Sequence, residues 1–244
     1  MEVYWLEQTE ANLPTADDWL SPSEAARLDT MRFAKRRSDW RLGRWTAKNA
    51  LALYFLYSKV PADPQVLASI EIRVAPSGAP QAFFQNKPAA ATISLSHRAG
   101  IAACAVACLS GALGCDLETI EPRSDAFVAD YFTTAEQSFI AGASAVERPR
   151  LLALLWSAKE SALKALHEGL RLDLRSVIVS SRDPSFDVDG WSPIVVRHTD
   201  RHIFCGWWQH ANGIVRTLVA APPPNPPIRL RIPDYVASAG SVRA

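Results

Sequence analysis

The chain has 244 residues, of which 48% are hydrophobic and 21% charged, a composition typical of a globular protein with one large domain or two small ones. Its formal net charge of +1 argues against a surface built for nucleic acid. The longest apolar run, residues 101–109, is too short to cross a bilayer as a helix. The first residues contain neither a basic leader nor an apolar stretch, so we expect a soluble, cytoplasmic protein without a signal peptide or a membrane partner.

The first predicted helix follows Ser21, because Ser21, Pro22 and Glu24 form the pattern of a capping box with proline at the first helical position. A basic stretch follows, and from about Asp39 it predicts an amphipathic helix that ends at the segment VPADP. The segment IEIRV alternates like a strand. Three further short strands are predicted over residues 91–122.

Two helical pieces are predicted for residues 127–142, the second capped by Thr133 or Thr134 ahead of Glu136. A long helix is predicted over Leu151–Leu166, strands over residues 191–221, and an extended tail after them. The segments GIAACAVA (100–107) and GIVRTLVA (213–220) share four residues, which allows two similar halves with a seam near residue 113.

Candidate chemistry first appears in the segment LGCDLETIEP. In a strand, Asp116 and Glu118 point to the same face, where two carboxylates repel unless they are solvated or bridged by a cation. The pair is therefore either a solvated strand edge or a Mg²⁺ site, since Mg²⁺ binds one or two carboxylates together with phosphate oxygens.

Two more candidates carry similar alternatives. Glu160 and Lys164 lie one turn apart on the polar face of the long helix, where they form either a surface pair or part of a site. His97 follows a strand and precedes a turn, so it is either structural or a phosphate ligand.

The order of these segments resembles the 4'-phosphopantetheinyl transferases of the surfactin-synthetase-activating (Sfp) type. The matching stretches are SHRAG at 96–100, GCDLE at 114–118, FTTAEQSFI at 132–140 and WSAKESALKALHEGL at 156–170. The resemblance implies an α+β fold in which two similar α/β halves pack as a pseudo-dimer within a monomer. The halves would be residues 1–112, with the coenzyme A phosphate contacts, and 113–224, with the metal carboxylates and catalytic helix, followed by a tail at 225–244.

The resemblance also implies a reaction and its partners. The phosphopantetheine arm of coenzyme A would pass to a serine of an apo acyl or peptidyl carrier protein, with Mg²⁺ as cofactor and adenosine 3',5'-bisphosphate as by-product. The implied metal ligands are Asp116, Glu118 and Glu160; Glu160 would also be the base, and Lys164 would meet the pyrophosphate. The implied coenzyme A contacts are Arg27, Arg44, Ser96, His97 and Lys164.

The sequence departs from the family at three positions. Ala79 stands where a lysine is expected, so that one phosphate contact is missing or comes from Arg73 or Arg98. Arg98 replaces a serine, and His167 replaces a glycine after the long helix. Two alternatives stay open: a metal-dependent phosphodiesterase with the same carboxylates, and a degenerate protein that binds carrier proteins without catalysis.

Overall fold

The computed structural model describes residues 1–56, 63–108, 111–167, 172–181 and 190–232, and within them the fold is mixed α+β, as the sequence predicts. The α-helices are α1 (Pro22–Asp29), α2 (Ala34–Leu56), α3 (Pro64–Ser69), α4 (Asp125–Tyr131), α5 (Thr134–Ala141) and α6 (Arg148–Leu166). The strands are β1 (Val3–Thr9), β2 (Ile70–Val74), β3 (Pro80–Phe84), β4 (Lys87–Pro88), β5 (Ala91–Arg98), β6 (Ile101–Cys108), β7 (Ala112–Thr119), β8 (Val177–Ser181), β9 (Ser192–His198), β10 (Ile203–Ala211), β11 (Ile214–Ala221) and β12 (Ile228–Arg229). None of the described helices combines the length and the apolar character needed to span a membrane.

The chain divides into two compact units. The N-terminal unit consists of Tyr4–Leu109 and Ile228–Ala244, and the C-terminal unit consists of Met1–Val3 and Ser110–Pro227. The predicted tail contains β12, which pairs in parallel with β1 in a sheet of the N-terminal unit. The predicted division into halves at residue 112, with resemblance between them, stays a prediction.

In the N-terminal unit, one sheet has the strand order β12-β1-β6-β5 and a second has β2-β3-β4. Helix α1 begins with the predicted capping box, in which Ser21 accepts from the backbone of Glu24 and the Glu24 side chain accepts from the backbone of Ser21. Helix α2 packs on β6 and starts at Ala34, five residues before the predicted start. Most of the predicted break at VPADP lies outside the described residues.

In the C-terminal unit, a five-stranded antiparallel sheet has the order β7-β11-β10-β9-β8. Helix α6 packs across β7 and β11 and begins three residues before the predicted start. The two predicted helical pieces are α4 and α5, and Thr133 caps α5 in a capping box with Glu136.

Each unit contains a fully buried lysine that pairs with the capping-box glutamate. Lys48 of α2 lies 2.5 Å from Glu24, whose other oxygen accepts from the backbone of Ile72 in β2. Lys159 of α6 lies 2.9 Å from Glu136, whose other oxygen accepts from the backbone of Val179 in β8. The same side-chain arrangement therefore ties a capped helix, a long helix and a strand together in both units.

The segments noted for their similarity occupy corresponding hairpins. GIAACAVA begins in the turn between β5 and β6, where Ala99 and Gly100 both have positive φ. GIVRTLVA begins in the turn between β10 and β11, where Asn212 and Gly213 both have positive φ. Two consecutive residues with positive φ define the type I′ turn that suits a two-residue hairpin.

Candidate functional site

The contact between α6 and β7 brings the predicted catalytic residues together. A Cβ atom at Gly114 would lie 1.7 Å from the carbonyl oxygen of Ser161, so glycine is required for the helix to approach the strand this closely. The hydroxyls of Ser157 and Ser161 lie 2.8 and 2.7 Å from Oγ1 of Thr217 on β11. Thr217 is the register partner of Asp116, so these hydrogen bonds fix the helix beside the carboxylates of β7.

Asp116 and Glu118 are both buried and both engaged by cations. Lys164 donates to Oδ1 of Asp116 at 2.8 Å and to the carbonyl oxygen of Cys115 at 3.0 Å. Arg123, which follows β7, donates to Oε1 of Glu118 at 3.2 Å. The predicted Asp-x-Glu pair therefore lies in a protein environment, not on a solvated strand edge.

Glu160 lies half-buried beside this cluster and makes no hydrogen bond or ion pair among the described residues. Burial raises the pKa of the Glu160 carboxyl, Asp116 and Glu118 raise it further, and Lys164 opposes them. Burial alone would lower the pKa of Lys164, but the neighbouring Asp116 raises it above its ordinary value. The result is a carboxylate with raised basicity beside a lysine that stays charged.

The donor chemistry of this cluster fits a hard divalent cation. Asp116, Glu118 and Glu160 supply carboxylate oxygens, and the repulsion that raises the pKa of Glu160 is the kind that a bound cation relieves. Among the described residues, no three His, Cys, Asp or Glu side chains are arranged around a common point, and Lys164 and Arg123 pair with two of the carboxylates. A metal ion would therefore exchange with these cationic groups.

Four of the five predicted coenzyme A contacts lie in the N-terminal unit, and the fifth, Lys164, lies on α6 of the C-terminal unit. Arg27 and Arg44 line one cavity of about 580 Å³. Ser96 and His97 lie at the end of β5 and are not part of its lining. As neighbours in a strand they point to opposite faces, and accordingly Ser96 is buried and His97 exposed.

Residues 112–212 match the family model of the 4'-phosphopantetheinyl transferase superfamily. The match covers less than half of the chain, but it includes β7, α6 and the charged cluster between them. It supports a transferase of phosphopantetheine, a class that uses coenzyme A and a carrier protein as substrates. A comparison with curated proteins finds no match.

His167 lies inside the superfamily match, at the position where the resemblance implies a glycine. It ends α6 in the left-handed region, with φ 59° and ψ 24°. Glycine is the usual residue at such a helix end because it has no Cβ to clash with the backbone. A glycine would adopt this left-handed conformation without strain, whereas His167 adopts it at a cost.

Arg123, Lys159 and Glu136 form ion pairs around the site that were not predicted from the sequence. Arg123 pairs with Glu118, and the buried Lys159–Glu136 pair fixes α6 one residue from Glu160. A signal for the buried pair was present: Trp45-Thr46-Ala47-Lys48 of α2 and Trp156-Ser157-Ala158-Lys159 of α6 share the pattern Trp-x-Ala-Lys. No comparable sequence signal identifies Arg123.

Proposed function

We propose that this protein transfers the 4'-phosphopantetheine arm of coenzyme A to a serine hydroxyl of an acyl or peptidyl carrier protein, as enzymes of the Sfp type do. The observation that carries the proposal is the position of Glu160, a carboxylate of raised pKa beside Asp116, Glu118 and the charged Lys164. The superfamily match includes all four residues and supports the same reaction class.

In the proposed reaction, the serine Oγ forms a bond to the phosphorus that carries the pantetheine arm. The bond from that phosphorus to the oxygen of adenosine 3',5'-bisphosphate breaks, and the electron pair stays with this leaving group. Glu160 takes the serine proton, a role for which a raised pKa is suited because it increases basicity. Lys164, which stays charged, lies beside Glu160 and would donate a hydrogen bond to a leaving phosphate oxygen.

The proposal includes Mg²⁺ as cofactor, with Asp116, Glu118 and Glu160 as the residues that would hold it. When bound, Mg²⁺ neutralises the charge of the coenzyme A pyrophosphate. We further propose Arg27, Arg44, Ser96 and His97 as coenzyme A contacts; the shared cavity of the two arginines supports this role for them.

We also propose that the fold is a pseudo-dimer of two similar halves in one monomeric chain. The repeated Trp-x-Ala-Lys pattern, the two capping-box glutamates and the two type I′ hairpins support this arrangement. The charged cluster has no such counterpart: Asn49 follows Lys48 where Glu160 follows Lys159, and Leu53 corresponds to Lys164. Catalysis is therefore assigned to the carboxylates of the C-terminal unit.

The test is intact-protein mass spectrometry of an apo acyl carrier protein after incubation with this protein, coenzyme A and Mg²⁺. We expect a mass gain of one phosphopantetheine arm, which disappears when EDTA is present. An absence of any gain across fatty-acid, polyketide and peptide carrier proteins would contradict the proposed activity. A gain that EDTA does not affect would contradict the metal requirement alone.

A further inference from the structure

The cavity in the N-terminal unit carries more positive charge than its own carboxylates neutralise. Its charged lining residues are four arginines and two glutamates: Arg27, Arg36, Arg44, Arg73, Glu24 and Glu71. Both glutamates are already engaged within the unit, Glu24 by Lys48 and Glu71 by Ser23 and Arg73. A polyanionic ligand would balance the remaining charge.

Donors for such a ligand remain on the guanidinium groups of Arg27, Arg36 and Arg44. The Arg27 and Arg36 side chains make no hydrogen bond or ion pair among the described residues, and both are exposed. Nε of Arg44 is buried and has no hydrogen-bond partner among the described residues. The Glu24 carboxylate lies 3.6 Å from it, which is too far for a hydrogen bond. Burial lowers the pKa of Arg44 despite the nearby Glu24, so an anion here would offset an electrostatic cost that the fold already carries.

Arg73 is held in place by an aromatic ring and by two hydrogen bonds. Its guanidinium lies 4.0 Å from the ring centre of Phe83, and its Nη2 donates to Glu71 and to Asn86. Both bonds use Nη2, so Nε and Nη1 have no acceptor among the described residues. A guanidinium fixed on one edge and open on the other is preorganised for bidentate binding of phosphate.

We propose that Arg73 is a specificity-determining residue that binds the 3'-phosphate of coenzyme A and supplies the contact missing at Ala79. This inference rests on the proposed function, in which Lys164 and the carboxylates of the C-terminal unit serve the pyrophosphate. The residues of the C-terminal unit are not assigned to the remaining phosphate of coenzyme A, which is the 3'-phosphate. Of the two arginines that could replace the absent lysine, Arg73 lines the cavity with Arg27 and Arg44, whereas Arg98 does not.

The test is calorimetric binding of coenzyme A and of 3'-dephospho-coenzyme A to the 244-residue chain, its Arg73→Gln variant and a control. Lys87→Gln is the matched control, because Lys87 lies in the same sheet and carries the same charge but does not line the cavity. We expect Arg73→Gln to weaken coenzyme A binding about ten- to a hundred-fold, the range of a lost charge-assisted hydrogen bond. Binding of the dephospho compound and of the control should stay unchanged.

An unchanged affinity for coenzyme A, or an equal loss for both compounds, would overturn the assignment of Arg73. Arg73→Lys keeps the charge but not the planar fork, so it should lose less affinity than Arg73→Gln if the variant remains folded in thermal unfolding. Modification of a carrier protein by the wild-type protein distinguishes failure of the Arg73 assignment from failure of the proposed transferase function. If the wild type is active and Arg73→Gln binds normally, only this inference fails; if the wild type neither binds coenzyme A nor modifies a carrier, the proposed function fails with it.

Discussion

Replacement of Lys159 by methionine tests whether a buried ion pair holds the catalytic helix in place. Lys159 is fully buried, pairs with Glu136 at 2.9 Å and donates to the carbonyl oxygen of Leu174 at 2.9 Å. Burial lowers its pKa, and the adjacent Glu136 opposes this shift. The variant removes the ammonium but retains much of the side-chain volume, so it leaves Glu136 buried without its cation.

Removing one partner of a buried ion pair destabilises a protein by about 3–5 kcal/mol. For a chain of this length each kcal/mol corresponds to about 2–4 °C in unfolding temperature, so we expect a drop of about 6–20 °C. Carrier modification should fall as well, because Lys159 precedes Glu160 and fixes α6 against β8. The double variant Glu136→Gln/Lys159→Met should recover about 1–2 kcal/mol, since the uncompensated charge is gone.

The assay is thermal and urea unfolding followed by circular dichroism, with Lys48→Met as the matched variant in the N-terminal unit. Lys48 has the same burial and the same kind of partner, but Glu24 keeps Arg44 at 3.6 Å after the substitution. The loss from Lys48→Met should therefore be smaller than the loss from Lys159→Met. A Lys159→Met protein within about 1 kcal/mol of wild type, or a double variant less stable than the single one, would refute this reasoning.

Three further substitutions address the site. Glu160→Gln should lower kcat at least about a hundred-fold, because the base is lost. The raised pKa of Glu160 means that its ionisation costs stability, so the same variant should raise the unfolding temperature of the metal-free protein at pH 8 and not at pH 4. A lower unfolding temperature at pH 8 would contradict this electrostatic argument. Gly114→Ala should lower the free energy of unfolding by about 1–3 kcal/mol or more, because the new Cβ pushes α6 off β7. The control Gly43→Ala, with no atom within 4 Å of its new Cβ, should not destabilise the protein. Similar unfolding temperatures for the two variants would contradict the close approach of α6 to β7. His167→Gly should raise the unfolding temperature by about 2–4 °C, because it relieves about 1 kcal/mol of strain in the left-handed backbone conformation. A lower unfolding temperature would show instead that the histidine side chain stabilises the helix end.

Local features of the fold were predictable where a short stretch of sequence decides them. The capping box at Ser21 was predicted, and so was a cap at Thr133 or Thr134 ahead of Glu136, because a hydroxyl and a glutamate three residues apart satisfy backbone donors within one turn. The structure places the second cap at Thr133. The start of α2 was placed five residues late because its first turns, with Lys35, Arg36 and Arg37, contain good helix formers but no apolar periodicity.

Partners distant in sequence were not predictable in the same way. A helical projection of α6 separates apolar from charged positions, but the helix is buried on several sides, and Lys159 lies among buried residues. Whether a lysine in a helix is solvated or buried depends on the neighbouring element, here α5 with Glu136, twenty-three residues earlier in the chain. The sequence pattern of one helix contains no information about that neighbour.

The sequence by itself determined the secondary structure types, the caps and the residue chemistry of Asp116, Glu118, Glu160 and Lys164, because these depend on side-chain type and on spacing within a few residues. Only the tertiary structure decided that Lys164 neutralises Asp116, that Arg123 binds Glu118 and that Arg73 shares a cavity with Arg27 and Arg44. The physical reason is that burial and charge compensation depend on distances through space, and these are set by the packing of helices and strands that are far apart along the chain.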